Sequence, residues 1–311
     1  IQSGLTTENH LLTEVEAKDL LSAYGIPVNK IETTASRTEA VDIAKDIGFP
    51  VTLKINSPDI THKSDANGVL LDLKNEQEVS DAFEQIIQNA KSYDAKARLD
   101  GVSIQPMVRH TGSELILGAK KDRDFGPVIL FGMGGVLAEV LHDQTIALPP
   151  LNRMLAKRLI EKTSVYRLLK GYRNIPPANL ELLEEILIRL AQLVTDFSEI
   201  HELDINPLLV TENGFSAVDA RVLLRTPEKP SPLHLVISPY PDQYEEHTTP
   251  DTGVDIFIRP IRPEDASLLV ELFESLSPRS VYLRFFTPMK ILPPSMLARF
   301  TQIDYDREMA L

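Results

Sequence analysis

Apolar positions recur along this chain with two different periods, and the changes between them outline its elements. Residues 13–24 read as an amphipathic helix with Val15, Leu20, Leu21 and Tyr24 on one side and Gly25 as the stop. A strand begins at Ile26-Pro27-Val28. Residues 38–47 then form a second helix, capped by Ser36 or Thr38 and ended by Gly48. A short apolar strand over 51–55 enters a polar loop, and apolar sequence returns as a strand over 69–73, followed by a helix over 76–91. Strands over 102–108, 114–119 and 127–131 lead to a glycine cluster, Gly132-Met133-Gly134-Gly135. Residues 151–170 read as helix in two pieces and 179–197 as one long amphipathic helix. Two last strands, 204–210 and 215–223, meet at Asn213-Gly214, a strong hairpin signal. Mixed strands and helices with several hairpins predict an α+β fold rather than a parallel α/β sheet.

The pattern then lapses. Residues 226–252 hold six prolines and few helix-forming runs, which reads as an interdomain linker, with one edge strand available over 233–238. Beyond it a new sequence of elements starts: a strand over 254–261, a helix over 263–276 and another over 279–285.

Composition adds exclusions. A chain of 311 residues has room for about two domains. With 43% hydrophobic and 25% charged residues it is an ordinary globular composition. The net charge of −13 argues against nucleic acid as the main partner, since phosphate repulsion would have to be overcome. The absence of cysteine excludes disulfides, thiolate catalysis and Cys-based zinc sites. No apolar run approaches the roughly 20 residues that span a bilayer, and no signal peptide is visible, so a cytoplasmic location with no membrane partner is expected. Self-association stays open. The chain opens at Ile1 and closes at Met309-Ala310-Leu311 within apolar sequence, so it reads as a piece of a longer protein.

Candidate chemistry gathers in two places. Lys54 lies near the end of the 51–55 strand, where a lysine can neutralise a phosphate. His62 sits on the glycine-ended loop that follows, and a histidine presented there can act as a nucleophile. Polar flanks at Thr61, Lys63, Ser64 and Asp65 predict that it is exposed. The plain alternative is a snorkelling lysine and an ordinary surface histidine. In the second place, a turn at Asn213-Gly214 would set Leu208 opposite Asp219 and Asn206 opposite Arg221. Asn206 and Asp219 would then be diagonal neighbours about 7–8 Å apart at the backbone. Their oxygens could share a small cation completed by water and phosphate, with Asp204 adding negative field on the same face. The same spacing also suits a solvated hairpin face.

These segments carry a family resemblance. SPDITHKSDANGV (57–69) resembles the phosphohistidine loop in the ATP-grasp domain of NDP-forming (ADP-forming) acyl-CoA synthetases, with Asn67 in place of the first glycine of a pair. Asparagine accepts positive φ better than most residues, though less readily than glycine. ELDINPLLV (202–210) with SAVDARVLL (216–224) resembles the hairpin that closes that domain. GSELILGAKKDRDFGP (112–127) and the glycine cluster followed by Glu139 are similar to the segments between them. The resemblance covers residues 12–225 and implies an ATP-grasp fold of two α+β subdomains over 1–225. It implies ATP or ADP with Mg2+ as cofactors and Asn206 and Asp219 as metal ligands. Lys54, Gln105, Met107, Val108, Glu114, Gly134 and Gly135 would contact nucleotide, the backbone of 105–108 and Met107 holding adenine, although Met107 also suits a core.

IFIRPIRPEDASLLVELFESLSPRSVYLRFF (256–286) and TQIDYDREMAL (301–311) resemble the start of a GNAT-type acetyltransferase domain, truncated over 253–311 after a linker over 226–252. An ATP-grasp domain followed by such a domain resembles the Pat-type bacterial protein lysine acetyltransferases. That implies acetyl-CoA and protein lysines, such as those of acyl-CoA synthetases, as substrates of the full-length protein, with the nucleotide region structural or regulatory and the present chain inactive in acetyl transfer. The alternative is an ADP-forming acetate/acyl-CoA synthetase in which His62 is catalytic and relays phosphate. A scaffold with a dead nucleotide site is a third reading, disfavoured by the presence of Lys54, Asn206 and Asp219.

Overall fold

The computed structural model describes residues 1–311 apart from 2–3, 7–9, 61, 110–112, 136–142, 174 and 251–252. It divides into two compact units, Ile1–Val236 and Ile237–Leu311.

The first unit opens with α1 (Glu14–Ala23), started by Thr13. The Thr13 hydroxyl accepts from the Glu16 amide at 3.3 Å and the Glu16 carboxylate accepts from the Thr13 amide at 2.9 Å. This capping box satisfies two donors that a helix start leaves orphaned. Strand β1 (Glu32–Thr34) and α2 (Arg37–Ile47) follow, then β2 (Val51–Asn56), β3 (Val69–Leu73), α3 (Glu76–Tyr93) and β4 (Gly101–Pro106). The four strands form an antiparallel sheet in the order β1-β4-β2-β3. Side chains alternate across it. Val51, Leu53, Ile55, Val102 and Ile104 point one way and join Ala40, Ala44, Ile86 and Ala90 of α2 and α3 in one buried cluster. The opposite face therefore receives Thr52, Lys54, Ser103 and Gln105, all four buried. In register, Thr52 pairs with Gln105 and Lys54 with Ser103. Four polar residues on a buried face need partners, because an unpaired buried polar group is costly. The site described below supplies them for Lys54 and Gln105, whereas Thr52 donates to the Met107 sulfur and the Ser103 hydroxyl is left without a hydrogen-bond partner among the described residues.

A second sheet is built from β5 (Glu114–Asp122), β6 (Gly126–Met133), β7 (Gln144–Ala147), β8 (Ile200–Thr211), β9 (Gly214–Ala217) and β10 (Ala220–Leu224), ordered β10-β8-β5-β6-β7 with β9 also paired to β8. Its core gathers Leu115, Leu117, Phe131, Ile205 and Val222 with residues of α1, α4 (Arg153–Glu161), α5 (Tyr166–Leu169) and α6 (Leu180–Asp196). Asn179 caps α6 by accepting from the Leu182 amide at 3.0 Å.

Several elements differ from expectation. Residues 26–28 form no strand, because Pro27 has no amide to donate. The segment joins only through the bridge of Val28 to Ala217 and the bond from the Ala217 amide to the Pro27 carbonyl. Two short strands, β1 and β7, carry too few residues for a visible period. The stretch 233–238 is not a strand but a set of turns. His234 is buried there, its Nε2 2.9 Å from the Val194 carbonyl oxygen, and Ser231 donates to the Thr195 carbonyl at 2.8 Å. The proline-rich stretch is thus divided between the two units.

The second unit contains a hairpin of β11 (Glu246–Thr248) and β12 (Ile256–Ile258), then α7 (Ala266–Ser275), α8 (Pro278–Phe285) and α9 (Pro294–Thr301). The last of these helices has no counterpart in the sequence reading. Arg259 grips Asp265 with two bonds of 2.6 and 2.8 Å. The expected start of a strand over 301–311 is absent; the segment instead touches Ile261, whose amide donates to the Ala310 carbonyl and whose carbonyl accepts from the Tyr305 hydroxyl at 2.7 Å. Among the described residues, no helix is long and apolar enough to cross a membrane.

Candidate functional site

The loop between β2 and β3 presents His62 to solvent, as the polar flanks predict. It is pinned at both ends. Ile60 and Ala66 are buried in the four-stranded sheet's core, and the Gly68 amide donates to the Lys63 carbonyl at 2.8 Å. Asn67 stands at φ 48°, so the position does require left-handed backbone, and asparagine fills it. A Cβ at Gly68 would sit 2.6 Å from the Ile55 methyl and 3.0 Å from the Lys63 carbonyl oxygen, so a larger residue would force a neighbour to shift.

The hairpin of β8 with β9 and β10 faces this loop. Its turn residues are Glu212 and Asn213, and Gly214, at φ 129°, is already the first residue of β9, paired with Thr211. The register is therefore shifted from expectation: Leu208 lies opposite Ala217 and Asp204 opposite Arg221. Carried through from both sides, this brings Asn206 level with Asp219 across the hairpin rather than diagonal to it. The ladder is interrupted there between Ala217 and Ala220, where Pro207 cannot donate and Val218 is held by a bond of 3.3 Å to the Pro207 carbonyl. The break leaves Asp219 outside any strand, its side chain 38% exposed.

A buried polar network fills the space between the sheets. Glu14, at the first position of α1, is its centre. Its Oε1 accepts from Lys54 at 3.0 Å and Gln105 at 2.6 Å and lies 3.2 Å from Lys18, while Oε2 is 3.1 Å from Lys63. Lys18 also donates to Asn29 at 2.7 Å and Gln105 at 2.9 Å. Lys54 donates to the Val218 carbonyl at 2.6 Å, and Lys63 reaches Asp219 at 3.3 Å. Burial alone would raise the Glu14 carboxyl, but Lys54, Lys63 and Lys18 overcome it and hold it far below the usual carboxylate range. Burial draws Lys18 down to about 8 against the pull of Glu14, and Lys54 adds to the fall. Lys63 moves the other way: its burial is outweighed by Asp219 and Glu14.

Loop and hairpin enclose a cavity of about 530 Å³ whose walls include His62, Lys63, Gly135, Asp204, Asn206 and Asp219. Asp204 is pushed up to about 6, by burial first and then by Asp219. A raised carboxyl binds its proton more tightly in the folded state than in the unfolded chain. Stability therefore falls as pH climbs from the ordinary value of 3.8 through about 6, and the penalty is complete above that. Asp204→Asn is expected to raise the melting temperature of the metal-free chain at neutral pH and to leave it unchanged below pH 3.8. A variant that melts like the parent at neutral pH would contradict this.

A family model described as an ATP-grasp domain matches residues 3–224. Over 217 residues the chain is 42% identical to the β subunit of ADP-forming acetate–CoA ligase I of Pyrococcus furiosus, covering 70% of this chain and 93% of that one. The chain belongs to the ATP-grasp domains of the ADP-forming acyl-CoA synthetases. It is also 48% identical over 203 residues to the ADP-forming 4-hydroxybutyrate–CoA ligase of Nitrosopumilus maritimus, covering 65% of this chain but only 29% of that relative's length. Among solved structures it resembles the dinucleotide-forming acetyl-coenzyme A synthetase 1 of Ca. Korarchaeum cryptofilum, at TM-score 0.60 and 39% identity over 69% of this chain and 93% of that one. That structure is a complex with coenzyme A and Mg-AMPPCP, its phosphohistidine segment pointing towards the nucleotide-binding site.

Within this ATP-grasp domain, Gly135 is the expected nucleotide contact that lines this cavity. Lys54, Gln105, Met107, Val108, Glu114 and Gly134 are not part of the cavity walls. The Lys54 ammonium is engaged by Glu14 and Val218 because its even position on β2 turns it into the buried network. Gln105 of β4, paired with Thr52, is turned to the same face. Met107 and Val108 are half-buried, the Met107 amide bonded to the Pro50 carbonyl at 3.0 Å and its sulfur 3.3 Å from the Thr52 hydroxyl. The glycine pair is not an open anion nest: Gly134 donates to the Glu114 carbonyl at 2.8 Å and Gly135 to Asn206 at 3.4 Å. A side chain at Gly135 would strike the Glu114 carboxylate. Asp122 accepts from the Asp124 and Phe125 amides and shapes the turn between β5 and β6. Glu139 lies outside the described residues. Glu14, Lys18, Asn29 and Lys63 were not anticipated as site residues. The signal for the first two was available in the helical spacing of Ala17 and Leu21, which places Glu14 and Lys18 on the same stripe.

Proposed function

We propose that this chain is the nucleotide-handling part of an ADP-forming acid–CoA ligase, with His62 as the residue that carries the phosphoryl group. The observation behind this reading is that His62, Asn206 and Asp219 line a single cavity. Coenzyme A enters as the thiol acceptor of the complete enzyme, by analogy with the relatives, and the acid is unspecified. The relatives reported above are ligases and not acetyltransferases, so this reading stands ahead of lysine acetylation, acetyl-CoA as its donor and protein lysines as substrates.

The donor set suits a hard cation. Asn206 and Asp219 offer oxygens, with the Asp204 carboxylate beside them, and a divalent ion would relieve the repulsion between the two aspartates. Among the described residues no group of three or more His, Cys, Asp or Glu side chains is arranged for a metal. Asn206 and Asp219 would therefore hold Mg2+ jointly with nucleotide phosphates and water, and the ion would neutralise phosphate charge. An imidazole nitrogen of His62 attacks the γ-phosphorus of ATP; the N–P bond forms as the P–O bond to ADP breaks, and the reverse step makes ATP. Lys63, beside the histidine, supplies positive charge at the cavity wall.

Incubation of the chain with Mg-ATP labelled at the γ-phosphate is expected to give an alkali-stable, acid-labile protein label that His62→Asn abolishes. Full labelling of His62→Asn, or none of the parent under conditions where Mg-ATP binds, would overturn the relay.

A further inference from the structure

The loop that carries His62 is joined to the hairpin across the cavity by the side chain next to it. Lys63 places its ammonium 3.1 Å from Glu14 Oε2 and 3.3 Å from Asp219 Oδ1. Its side chain is only 17% exposed and that of Glu14 4%, so both are largely removed from water. Among the described residues of 57–68, Lys63 is the one recorded in an ion pair or side-chain hydrogen bond to α1 or the hairpin. The remaining polar ties are local or stay on the loop's own side: Ser57 to the Arg98 carbonyl, the Arg98 amide to Asp59, and Asn89 to the Asn67 carbonyl.

We propose that Lys63 is the positioning residue for His62, a latch that holds the loop over the cavity through Glu14 and Asp219 and that yields when a divalent cation takes Asp219. Glu14 is the fixed half of the latch. It is buried and bound by Lys54 and Lys18 as well, so it stays in place when Lys63 leaves. Asp219 is the exchangeable half, since it lies in the gap between β9 and β10 and is half-exposed. Lys63 and a cation need the same carboxylate, and two positive charges on it repel. Loading the cation site thus weakens one of the two bonds that keep the loop docked, and the histidine gains freedom when the nucleotide's metal is present. This rests on the proposed function for its meaning, although the latch itself is a property of the apo chain.

Hydrogen exchange of the amides in 62–66 tests it on the full chain, with magnesium chloride alone as the probe. Charge-assisted bonds of this kind hold a segment closed by a factor of about ten or more. Lys63→Met is expected to speed exchange there by about tenfold, with Lys63→Arg restoring most of the protection. Magnesium should accelerate exchange in the parent and have little further effect in Lys63→Met. In the labelling reaction the Glu14 bond to Lys63 remains after the cation takes Asp219, so Lys63→Met should lower the rate constant for His62 phosphorylation more than it changes the ATP concentration for half-saturation. Should Lys63→Met misfold, Lys63→Gln, which keeps a hydrogen-bond donor without charge, gives the same comparison. Unchanged exchange in the charge-removing variants, or an equal magnesium response in parent and variant, would overturn the latch. Because exchange is read without nucleotide, a failed relay and a failed latch give different results: the first loses the phosphoryl label, the second leaves the loop's protection insensitive to Lys63.

Discussion

Glu14→Ala is expected to destabilise the ATP-grasp unit by about 3–5 kcal/mol, the range for removing one partner of a buried ion pair. The side chain is 4% exposed and lies within 3.2 Å of the ammonium groups of Lys18, Lys54 and Lys63. Its loss leaves three cations around an apolar gap, two of them on side chains that are themselves 1% and 8% exposed. Contrast the ion pair of Lys30 with Glu32, which is 65% and 38% exposed and so contributes little. The pH dependence has a fixed sign. The folded carboxyl lies below its ordinary value of 4.5, so its contribution is complete above 4.5 and is lost as pH falls through the folded value. Denaturant unfolding of the two proteins should therefore differ most near neutral pH and converge on acidification. A loss of under about 1 kcal/mol at neutral pH, the scale of a surface pair, would mean that Glu14 does not organise the lysines.

Why this residue escaped a reading of the sequence is instructive. Apolar periodicity on 13–24 selects Val15, Leu20, Leu21 and Tyr24, yet the side that packs inward is Glu14, Ala17, Lys18 and Leu21. A charged pair four apart on a helix normally marks the solvent face. Here it is buried because the opposing sheet face offers Lys54 and Gln105, and no local pattern announces a polar face on a strand 40 residues away. Lys63 was hidden by a longer version of the same problem, its partner Asp219 being 156 residues distant. By contrast, the long helices were legible to within a few residues, since Asn75 and Asn179 cap them and their apolar stripes run unbroken. The loop of His62 was legible too, because its breaks at Ser57-Pro58 and Gly68 and its polar flanks are all local. The hairpin was half legible. Asn213-Gly214 correctly predicted a turn, but a glycine at φ 129° can serve as the first strand residue as well as the last turn residue, and that choice moves every cross-strand partner.

The corrected register sharpens the expectation for Asp219. Level with Asn206 and freed from the ladder by the break after Ala217, it is the carboxylate on which Lys63 and the Ala220 amide converge, the latter donating at 3.1 Å, and it is where the proposed cation would bind. Asp219→Ala is expected to weaken Mg-ATP binding by roughly 10- to 150-fold, the equivalent of about 1.5–3 kcal/mol for one charged ligand. Binding of ATP in the presence of a chelator should change far less, since the phosphates alone do not need this oxygen. Asp219→Asn separates charge from shape: it keeps an acceptor for the Ala220 amide, so its deficit should approach that of alanine if the negative charge is what matters. Unfolding is a poor alternative explanation, because Lys63 retains Glu14 and the half-exposed position leaves no buried charge unpaired. Calorimetric titration of parent and variants with ATP, with and without magnesium, reads all of this in one series. Equal Mg-ATP affinity in parent and Asp219→Ala would remove the metal from the hairpin, whereas a loss that persists in chelator would make Asp219 a structural residue of the cavity wall.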